Sequence, residues 1–496
     1  MAITQDELNK TLWAAADSAR GIVAAADFKD YSLPFLFYKY MSDQHKKEKA
    51  ALIKQYGDTP ERLKNKLELA RFRVPEGAAF DDIFAHQNDD NIGEQINIAL
   101  HAIEDANSPT LDNIFLTDFN SEKLGQTAQR NKMLRDMIND FAKIDLSDVD
   151  DDILGNGYMY LIERFGADSG KKAGEFFTPK SVSGLLAKLA GAKAGDRICD
   201  PTCGSGSLLL LTAKEIGGRN YALYGQEKNG GNYNMARMNM FLHGEDSARI
   251  EWGDTLNDPK LIENDKLMKF DVVVANPPFS LDKWGEPKLD NDIYRRFWRG
   301  MPPKSKGDYA FISHMVETAK NESGRVAVIV PHGVLFRGSS EGTIRRALVE
   351  ENLLDAVIGL PANLFQTVGI PVAILIFDRS REAGGTNENR KDVLFIDASR
   401  EFVPGKAQNT LSDEQINKIV ETYRTRAEIE KYSHLAKSAE IAENDYNLNI
   451  PRYVDTFTAE EPVDMAAVAA ELADIDARLS ESTAKMKKYL TELGLK

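Results

Sequence analysis

Cysteine and histidine are scarce in this chain of 496 residues, which has two cysteines and seven histidines. The cysteines, Cys199 and Cys203, both lie near a glycine-rich turn that a disulfide would distort, and so few thiols suit a reducing compartment. We therefore expect a cytoplasmic protein. The histidines are scattered, with no His-Glu-x-x-His sequence and no Cys/His cluster, so we expect no metal site.

Long apolar runs and repeated segments are also missing. The first residues, Met1 to Asp6, are polar and lack the apolar core of a secretion signal. No run is long enough to cross a membrane, and no internal repeat or low-complexity block is present. We expect neither secretion nor a membrane anchor, and the length allows two or three domains.

Positive charge is in deficit. The chain has 62 Lys and Arg against 77 Asp and Glu, a formal net charge of -15. Proteins that hold duplex DNA by themselves usually present a large basic face, because phosphate neutralisation supplies much of the binding energy. If this chain acts on DNA, most of its affinity has to come from a partner.

The most informative segment that is present is Asn276-Pro277-Pro278-Phe279, after the strand-like run Asp271 to Ala275. A ring-bound amino group has a delocalised lone pair, so it attacks a methyl donor only when acceptors polarise its hydrogens. The Asn276 side chain and the Pro277 carbonyl are two such acceptors, the prolines stiffen the turn, and Phe279 suits base stacking. The motif predicts a methyltransferase for an exocyclic or amide nitrogen. The alternative is a Pro-Pro loop with a turn asparagine and a core phenylalanine.

Upstream strand-like runs end in glycines or acids. Asp196 to Asp200 leads into the glycine turn Pro201 to Gly206, whose backbone can approach a ligand closely. Another run ends at Glu227, spaced like an acid that binds ribose hydroxyls, and a third ends at Asp254, which suits an adenine amino group. Singly, either acid could be an N-cap or a solvated loop charge. Together they indicate a ligand site at the strand ends, with Asp200, Thr202, Cys203, Gly204, Ser205, Gly206, Glu227, Asp254 and Thr255 as candidate cofactor-binding residues.

A further candidate segment is Glu175-Phe176-Phe177-Thr178-Pro179-Lys180, before the amphipathic run Ser181 to Ala190. We predict Thr178 as the N-cap of a helix and Pro179 as its first residue. The amides of that helix start also suit a carboxylate, such as the one on the methionine end of S-adenosylmethionine.

The pattern of apolar residues predicts three regions. Residues 1–150 are expected to be helical, 151–400 to alternate strands and helices, and 401–496 to be helical again. The fold class is therefore α/β, a Rossmann-like methyltransferase domain between a helical domain and a helical tail. Further strands are predicted at Arg325 to Val330, Leu354 to Leu360, Val372 to Phe377 and Val393 to Ile396, with a hairpin or flexible loop from Arg381 to Lys391.

Two other segments suggest contacts with partners. Residues 280–306 form a basic stretch with interleaved aromatics, which either closes over a base and touches phosphates or is a plain surface lid. Near the end, apolar residues recur at steps of four and three, interrupted at Ser482. They are Val468, Leu472, Ile475, Leu479, Met486, Tyr489 and Leu493. This spacing favours a seam for a partner subunit's helix over a helix packed on its own domain.

The order of these motifs resembles the modification (methyltransferase) subunit of type I restriction-modification systems, an adenine-N6 DNA methyltransferase. The resemblance covers nearly the whole chain. Beyond the site, the matching segments are Leu12-Trp13, Arg20-Gly21, Tyr40-Met41-Ser42-Asp43, Gly307-Asp308-Tyr309-Ala310-Phe311, Pro331-His332-Gly333-Val334-Leu335-Phe336 and Asn444-Asp445-Tyr446-Asn447-Leu448-Asn449.

The resemblance implies that Asn276 and Pro277 bind the amino group of a flipped adenine, that Phe279 stacks on the base, and that the upstream residues hold S-adenosylmethionine. It implies double-stranded DNA as the substrate and a specificity subunit that reads its sequence, with two copies of this chain per specificity subunit. It leaves room for a restriction subunit with nuclease and translocase activity.

Two other functions fit the residues less well. A methyltransferase for a protein glutamine or an RNA base would use the same Asn-Pro-Pro-aromatic chemistry, but the long helical domain and the closing segment argue against it. A catalytically silent assembly subunit would keep the fold without the chemistry. The intact Asp200, Gly204, Gly206, Asn276 and Phe279 argue against that.

Overall fold

The computed structural model describes residues 4–17, 25–57, 60–169, 178–285, 292–365, 369–406, 408–456 and 465–495. They divide into two units, one up to Val454 and one from Asp455 to Lys496. Among the residues singled out from the sequence, Arg20, Gly21, Glu175, Phe176 and Phe177 lie outside the described ranges, as do residues 286–291 of the basic stretch. Within those ranges, no helix is both long enough and apolar enough to span a bilayer.

The N-terminal part is helical, as the sequence predicted. It contains α1 (Gln5–Ala16), α2 (Ala25–Tyr56), α3 (Pro60–Leu67), α4 (Phe80–Ala85), α5 (Ile92–Ala106), α6 (Thr127–Ala142) and α7 (Asp151–Ser169). The first helix begins with a capping box, in which the Thr4 hydroxyl accepts from the Glu7 amide at 3.3 Å and the Glu7 carboxylate accepts from the Thr4 amide at 3.0 Å.

The region that follows alternates strands and helices. Its first half contains α8 (Lys180–Ala190), β1 (Arg197–Asp200), α9 (Ser207–Lys214), β2 (Ala222–Glu227), α10 (Gly230–Leu242), β3 (Arg249–Trp252), β4 (Ile262–Glu263), β5 (Lys266–Leu267) and β6 (Val272–Ala275). Its second half contains α11 (Asp308–Thr318), β7 (Arg325–Pro331), α12 (Gly333–Phe336), α13 (Ser339–Glu350), β8 (Leu354–Gly359), β9 (Val372–Asp378), β10 (Asp392–Asp397), α14 (Asp413–Thr425), β11 (Ser433–Lys437) and α15 (Ser438–Glu443).

Nine of these strands form one sheet, in the order β11-β10-β8-β9-β7-β6-β1-β2-β3. From β7 through β3 neighbouring strands are parallel, whereas β9 is antiparallel to both β7 and β8. Every residue of β6, β8 and β9 is buried, as expected for central strands covered on both faces. The chain runs from β1 outward to β3 and later returns on the other side of β1, so strand order reverses between β1 and β6. Open α/β sheets bind ligands at such a switch point.

The sequence predicted all the sheet strands except the edge strand β11. Of the two alternatives for Arg381 to Lys391, a hairpin or a loop, the hairpin is wrong, because β10 pairs with β8 and not with β9. That segment is instead a connecting loop. It begins at the buried Arg381, whose guanidinium lies 2.7 Å from the Asp355 carboxylate at the start of β8.

The helical domain and the sheet domain share apolar packing through α10. The core of α1 to α7 also contains Met235, Met238, Phe241 and Leu242 from that helix. Gly155 of α7 lies directly against the ring of His243, so that a Cβ on it would come within 2.5 Å of that ring. Only glycine permits this approach. The shared core joins residues up to Leu146 to α10, so the two predicted domains are packed as one body up to Val454.

The second unit contains α16 (Met465–Glu492), which has no buried residue. Its apolar residues are among the exposed large side chains of the chain, with Leu472 57% and Leu479 62% exposed. A continuous helix with this stripe is what the sequence predicted for residues 468–493.

Candidate active site

Four neighbouring strands bring the predicted site residues to one edge of the sheet. The strands β6, β1, β2 and β3 are adjacent and parallel, and neighbouring strands lie roughly 4.8 Å apart. Their carboxyl ends carry Asn276, Asp200, Glu227 and Asp254, respectively. Asn276 and Asp200 therefore flank the switch point, and the two other acids follow outward from it.

The glycine turn after β1 is held by the end of β2. The Gly204 amide donates to Glu227 Oε2 at 2.9 Å, and the Cys203 amide donates to the Gln226 carbonyl at 3.1 Å. Glu227 Oε1 accepts from the Asn229 amide at 2.8 Å. Glu227 therefore organises the glycine turn at the edge of the sheet, and its binding of ribose hydroxyls stays a prediction.

Gly206 has a left-handed backbone conformation just before α9, with a φ of 76°, which favours glycine. A Cβ on it would lie 2.7 Å from Met240 Cε, the flexible end of a side chain of α10. The two hydroxyls beside it, those of the buried Ser205 and Ser207, are 2.8 Å apart and hydrogen-bond to each other. The approach of this glycine's backbone to a ligand stays a prediction.

Asp200 is the most strongly perturbed carboxyl of the site. Burial raises its pKa to about 7, and the nearby charge of Glu227 adds to this, while the hydrogen bond from the Thr202 amide at 2.9 Å opposes it. Thr202 also donates its hydroxyl to the same oxygen at 3.5 Å. Asp200 is thus a carboxyl that changes between its neutral and charged forms near neutral pH.

Asp254 organises its own turn. Its Oδ1 accepts from the amides of Leu256 and Asn257 at 3.0 and 3.1 Å, and its Oδ2 lies 2.8 Å from Lys228 Nζ. Burial alone would raise the pKa of Asp254, but the hydrogen bonds from Lys228 and Asn257 outweigh it and hold that pKa below its ordinary value. The neighbouring Thr255 is buried and donates to the Pro201 carbonyl. A cofactor contact by either residue stays a prediction.

The sequence predicted that Thr178 caps α8, and that prediction is wrong. The helix begins at Lys180 with Pro179 as its N-cap, and no described side chain caps it. The Pro179 carbonyl accepts from the amides of Val182 and Ser183, each at 2.9 Å. Because Thr178 lies one residue too early, its hydroxyl is available elsewhere and accepts from Asn276 Nδ2 at 2.9 Å.

The oxygen of the Asn276 amide is the atom of the site that points most clearly to a ligand. Asn276 Oδ1 is buried and has no hydrogen-bond partner among the described residues. Buried polar atoms are almost always paired, so a persistent exception points to a ligand. Pro277 is buried, Pro278 is exposed, and the half-buried Phe279 meets Phe365 edge-on with ring centroids 6.0 Å apart.

The turn that carries Asn276 is also held at Ser280, where it ends. The Ser280 amide donates to Asp308 Oδ1 at 2.8 Å, and the other oxygen of Asp308 accepts from Arg337, which also pairs with Glu341. Asp308 is 3% exposed. The sequence singled out the Gly-Asp-Tyr-Ala-Phe segment without assigning it a role; the structure places its aspartate directly behind the candidate catalytic turn.

The basic segment after the turn includes two arginines that are buried in the protein. Arg296 is 0% exposed and pairs with Asp292, and it donates to the carbonyls of Thr255 and Leu256 at 3.0 and 2.9 Å. Arg299 is also buried, between Glu317 and Glu351. These two arginines cannot touch phosphates, so that prediction is wrong for them. The part that faces solvent includes Lys283, Arg295, Trp298 and Lys304.

Comparisons with known proteins show the family to which the chain belongs. A family model described as N-6 DNA methylase matches residues 149–462, and one described as HsdM N-terminal domain matches residues 8–141. The chain is 31% identical to the type I restriction enzyme MpnII methylase subunit of Mycoplasma pneumoniae, over 98% of this chain and 96% of that protein. It is 32% identical to the MjaVII methylase subunit of Methanocaldococcus jannaschii, over 96% of this chain and 83% of that protein.

A solved structure also matches most of this chain. The crystal structure of the type I restriction-modification system methyltransferase subunit from Streptococcus thermophilus is 37% identical and has a TM-score of 0.82, over 91% of this chain and 100% of that one. These matches span both the helical domain and the strand ends that carry the candidate site. The chain therefore belongs to the N-6 DNA methylase family, the adenine-specific DNA methyltransferases, as a type I restriction enzyme methylase subunit.

Proposed function

We propose that this chain transfers a methyl group from S-adenosylmethionine to the N6 atom of adenine in double-stranded DNA. The observation that carries the proposal is the unpartnered Oδ1 of Asn276 at the switch point of the sheet. An exocyclic amino group is a donor of the right kind for this oxygen, and the Pro277 carbonyl is the second acceptor. Together they hold N6 in place and increase its electron density toward the methyl donor.

The residues at the neighbouring strand ends suit the cofactor. We assign Glu227 to the ribose hydroxyls, and the backbone of the glycine turn and of the segment Thr178 to Lys180 to the methionine end. The bound cofactor supplies an electrophilic methyl on a sulfonium. Asp200, whose pKa is raised to about 7 by burial, would be one of the residues that hold the cofactor.

The base has to leave the duplex to reach Asn276. The N6 atom of a stacked adenine is not reachable for in-line attack, so we propose that the nucleotide is flipped and stacks on Phe279. No described side chain at the turn is a clear general base. The proton is released to water after transfer.

Sequence recognition is proposed to come from another subunit. The chain is acidic, and the arginines at the centre of its basic segment are buried in ion pairs. The uncovered apolar stripe of α16 suits a helix of a specificity subunit. We propose a complex with two copies of this chain per specificity subunit, to which a restriction subunit can add.

The test is methyl transfer with labelled S-adenosylmethionine to DNA, RNA and protein, with and without the cognate specificity subunit. We expect N6-methyladenine in duplex DNA only when that subunit is present. Label in RNA or in a protein glutamine would support the second substrate class instead. A chain that binds no cofactor by calorimetry and transfers no label would be a silent assembly subunit.

A further inference from the structure

Thr178 joins two parts of the proposed site. It lies in the segment assigned to the cofactor, but its hydroxyl accepts from the side chain of Asn276, 98 residues further along the chain. The helix that follows makes no use of this hydroxyl, since its N-cap is Pro179. Thr178 is thus committed to the turn that meets the target base.

The two ends of a primary amide have opposite hydrogen-bonding character. The oxygen accepts and the nitrogen donates. With Nδ2 on Thr178, the acceptor Oδ1 remains without a partner in the described site. A half-turn of the amide would instead present Nδ2 to the target, where it would meet another donor. The Thr178 hydroxyl can donate as well as accept, so it fixes the position of the amide, and the target amino group selects the orientation in which Oδ1 faces it.

We propose that Thr178 is a positioning residue for methyl transfer, which holds the Asn276 amide so that Oδ1 accepts from the target amino group. The inference rests on the proposed function and deepens it. It separates Thr178 from a purely cofactor-binding role, because its effect passes through Asn276 to the reacting nitrogen and not through the affinity for S-adenosylmethionine.

The test compares Thr178→Val, which replaces the hydroxyl by a methyl of similar size, with Thr178→Ser, which keeps the hydroxyl. Single-turnover methylation of duplex DNA is measured at saturating cofactor with the specificity subunit present. We expect valine to slow transfer by about 10-fold, the scale of one lost hydrogen bond, and serine to stay within a factor of about two. Cofactor affinity by calorimetry should change by less than about two-fold in both.

A double-mutant cycle with Asn276→Ala tests whether the effect passes through Asn276. In that background Thr178→Val should have almost no further effect, because the partner of its hydroxyl is already gone. An equal loss in both backgrounds would overturn the proposal, as would a valine variant with wild-type transfer or with an effect confined to cofactor affinity. If thermal unfolding shows that valine disrupts the fold, Thr178→Ala carries the same expectation.

Failure of the proposed function gives a different result. Wild-type protein would then transfer no methyl to adenine even with the specificity subunit. Wild-type methylation together with an unaffected Thr178→Val variant would reject only the role of Thr178.

Discussion

Replacing Asn276 by alanine should abolish most methylation while leaving the cofactor site intact. We propose two acceptors for the target amino group, the Asn276 Oδ1, which has no hydrogen-bond partner among the described residues, and the carbonyl of Pro277. Alanine removes the first, so the nitrogen is held and polarised from one side only. Loss of one such preorganised group costs on the order of 10² to 10³ in rate, or about 2.7 to 4 kcal/mol.

The assay is single-turnover transfer of labelled methyl to duplex DNA, with calorimetry of S-adenosylmethionine binding in parallel. Cofactor affinity should change by less than about two-fold, since the strand ends at Asp200 and Glu227 are untouched. Asn276→Asp is the matched control, because it keeps an acceptor oxygen and should lose less activity than alanine. An alanine variant within a factor of a few of the wild-type rate would refute the assignment of Asn276 to the reacting nitrogen.

Three further predictions concern the cofactor site and assembly. Glu227→Ala should weaken cofactor binding by roughly 1.5 to 3 kcal/mol with little effect on DNA binding; unchanged affinity by calorimetry would make Glu227 a structural charge of the turn. Since burial raises the pKa of Asp200 from 3.8 to about 7, the stability that its proton contributes is complete below 3.8 and is lost as pH rises through 7. Denaturant unfolding of the unliganded protein should therefore show Asp200→Asn gaining on wild type over this window, and parallel profiles would contradict the raised pKa. Deleting the residues after Pro462 should prevent assembly with the specificity subunit, seen by size-exclusion chromatography, and spare cofactor binding; normal assembly would exclude α16 as the docking helix.

The strands were predicted well from the sequence because each buried strand is a short run of apolar residues. Their directions were not predictable, since a fully buried strand such as Val372–Asp378 shows no alternation that would separate parallel from antiparallel pairing. The edge strand Ser433–Lys437 was missed because it is short and mostly polar. Only two of its five residues are buried. Its pairing depends on backbone hydrogen bonds to β10 that leave little mark on the side chains.

The site was predicted unevenly for a related reason. Residues at strand ends follow from topology, so Asn276, Asp200 and Glu227 could be placed together from the sequence. Contacts between distant segments could not be predicted from the sequence. The capping role given to Thr178 followed a local rule, whereas its observed partner is remote in sequence. The burial of Arg296 likewise requires the carbonyls of a loop about 40 residues upstream, which no local pattern reveals.

The packing of α10 against the N-terminal helices bears on how such proteins can be divided and recombined. The boundary between the two matched families falls between residues 141 and 149, but the apolar core crosses it through Met235, Met238 and Phe241. A chimera cut at that boundary would put one parent's α1 to α6 against another parent's α7 and α10. Exchange of the N-terminal helices between relatives therefore has to carry the matching face of α10 with it, and a fragment made of the catalytic region alone would expose that face to water.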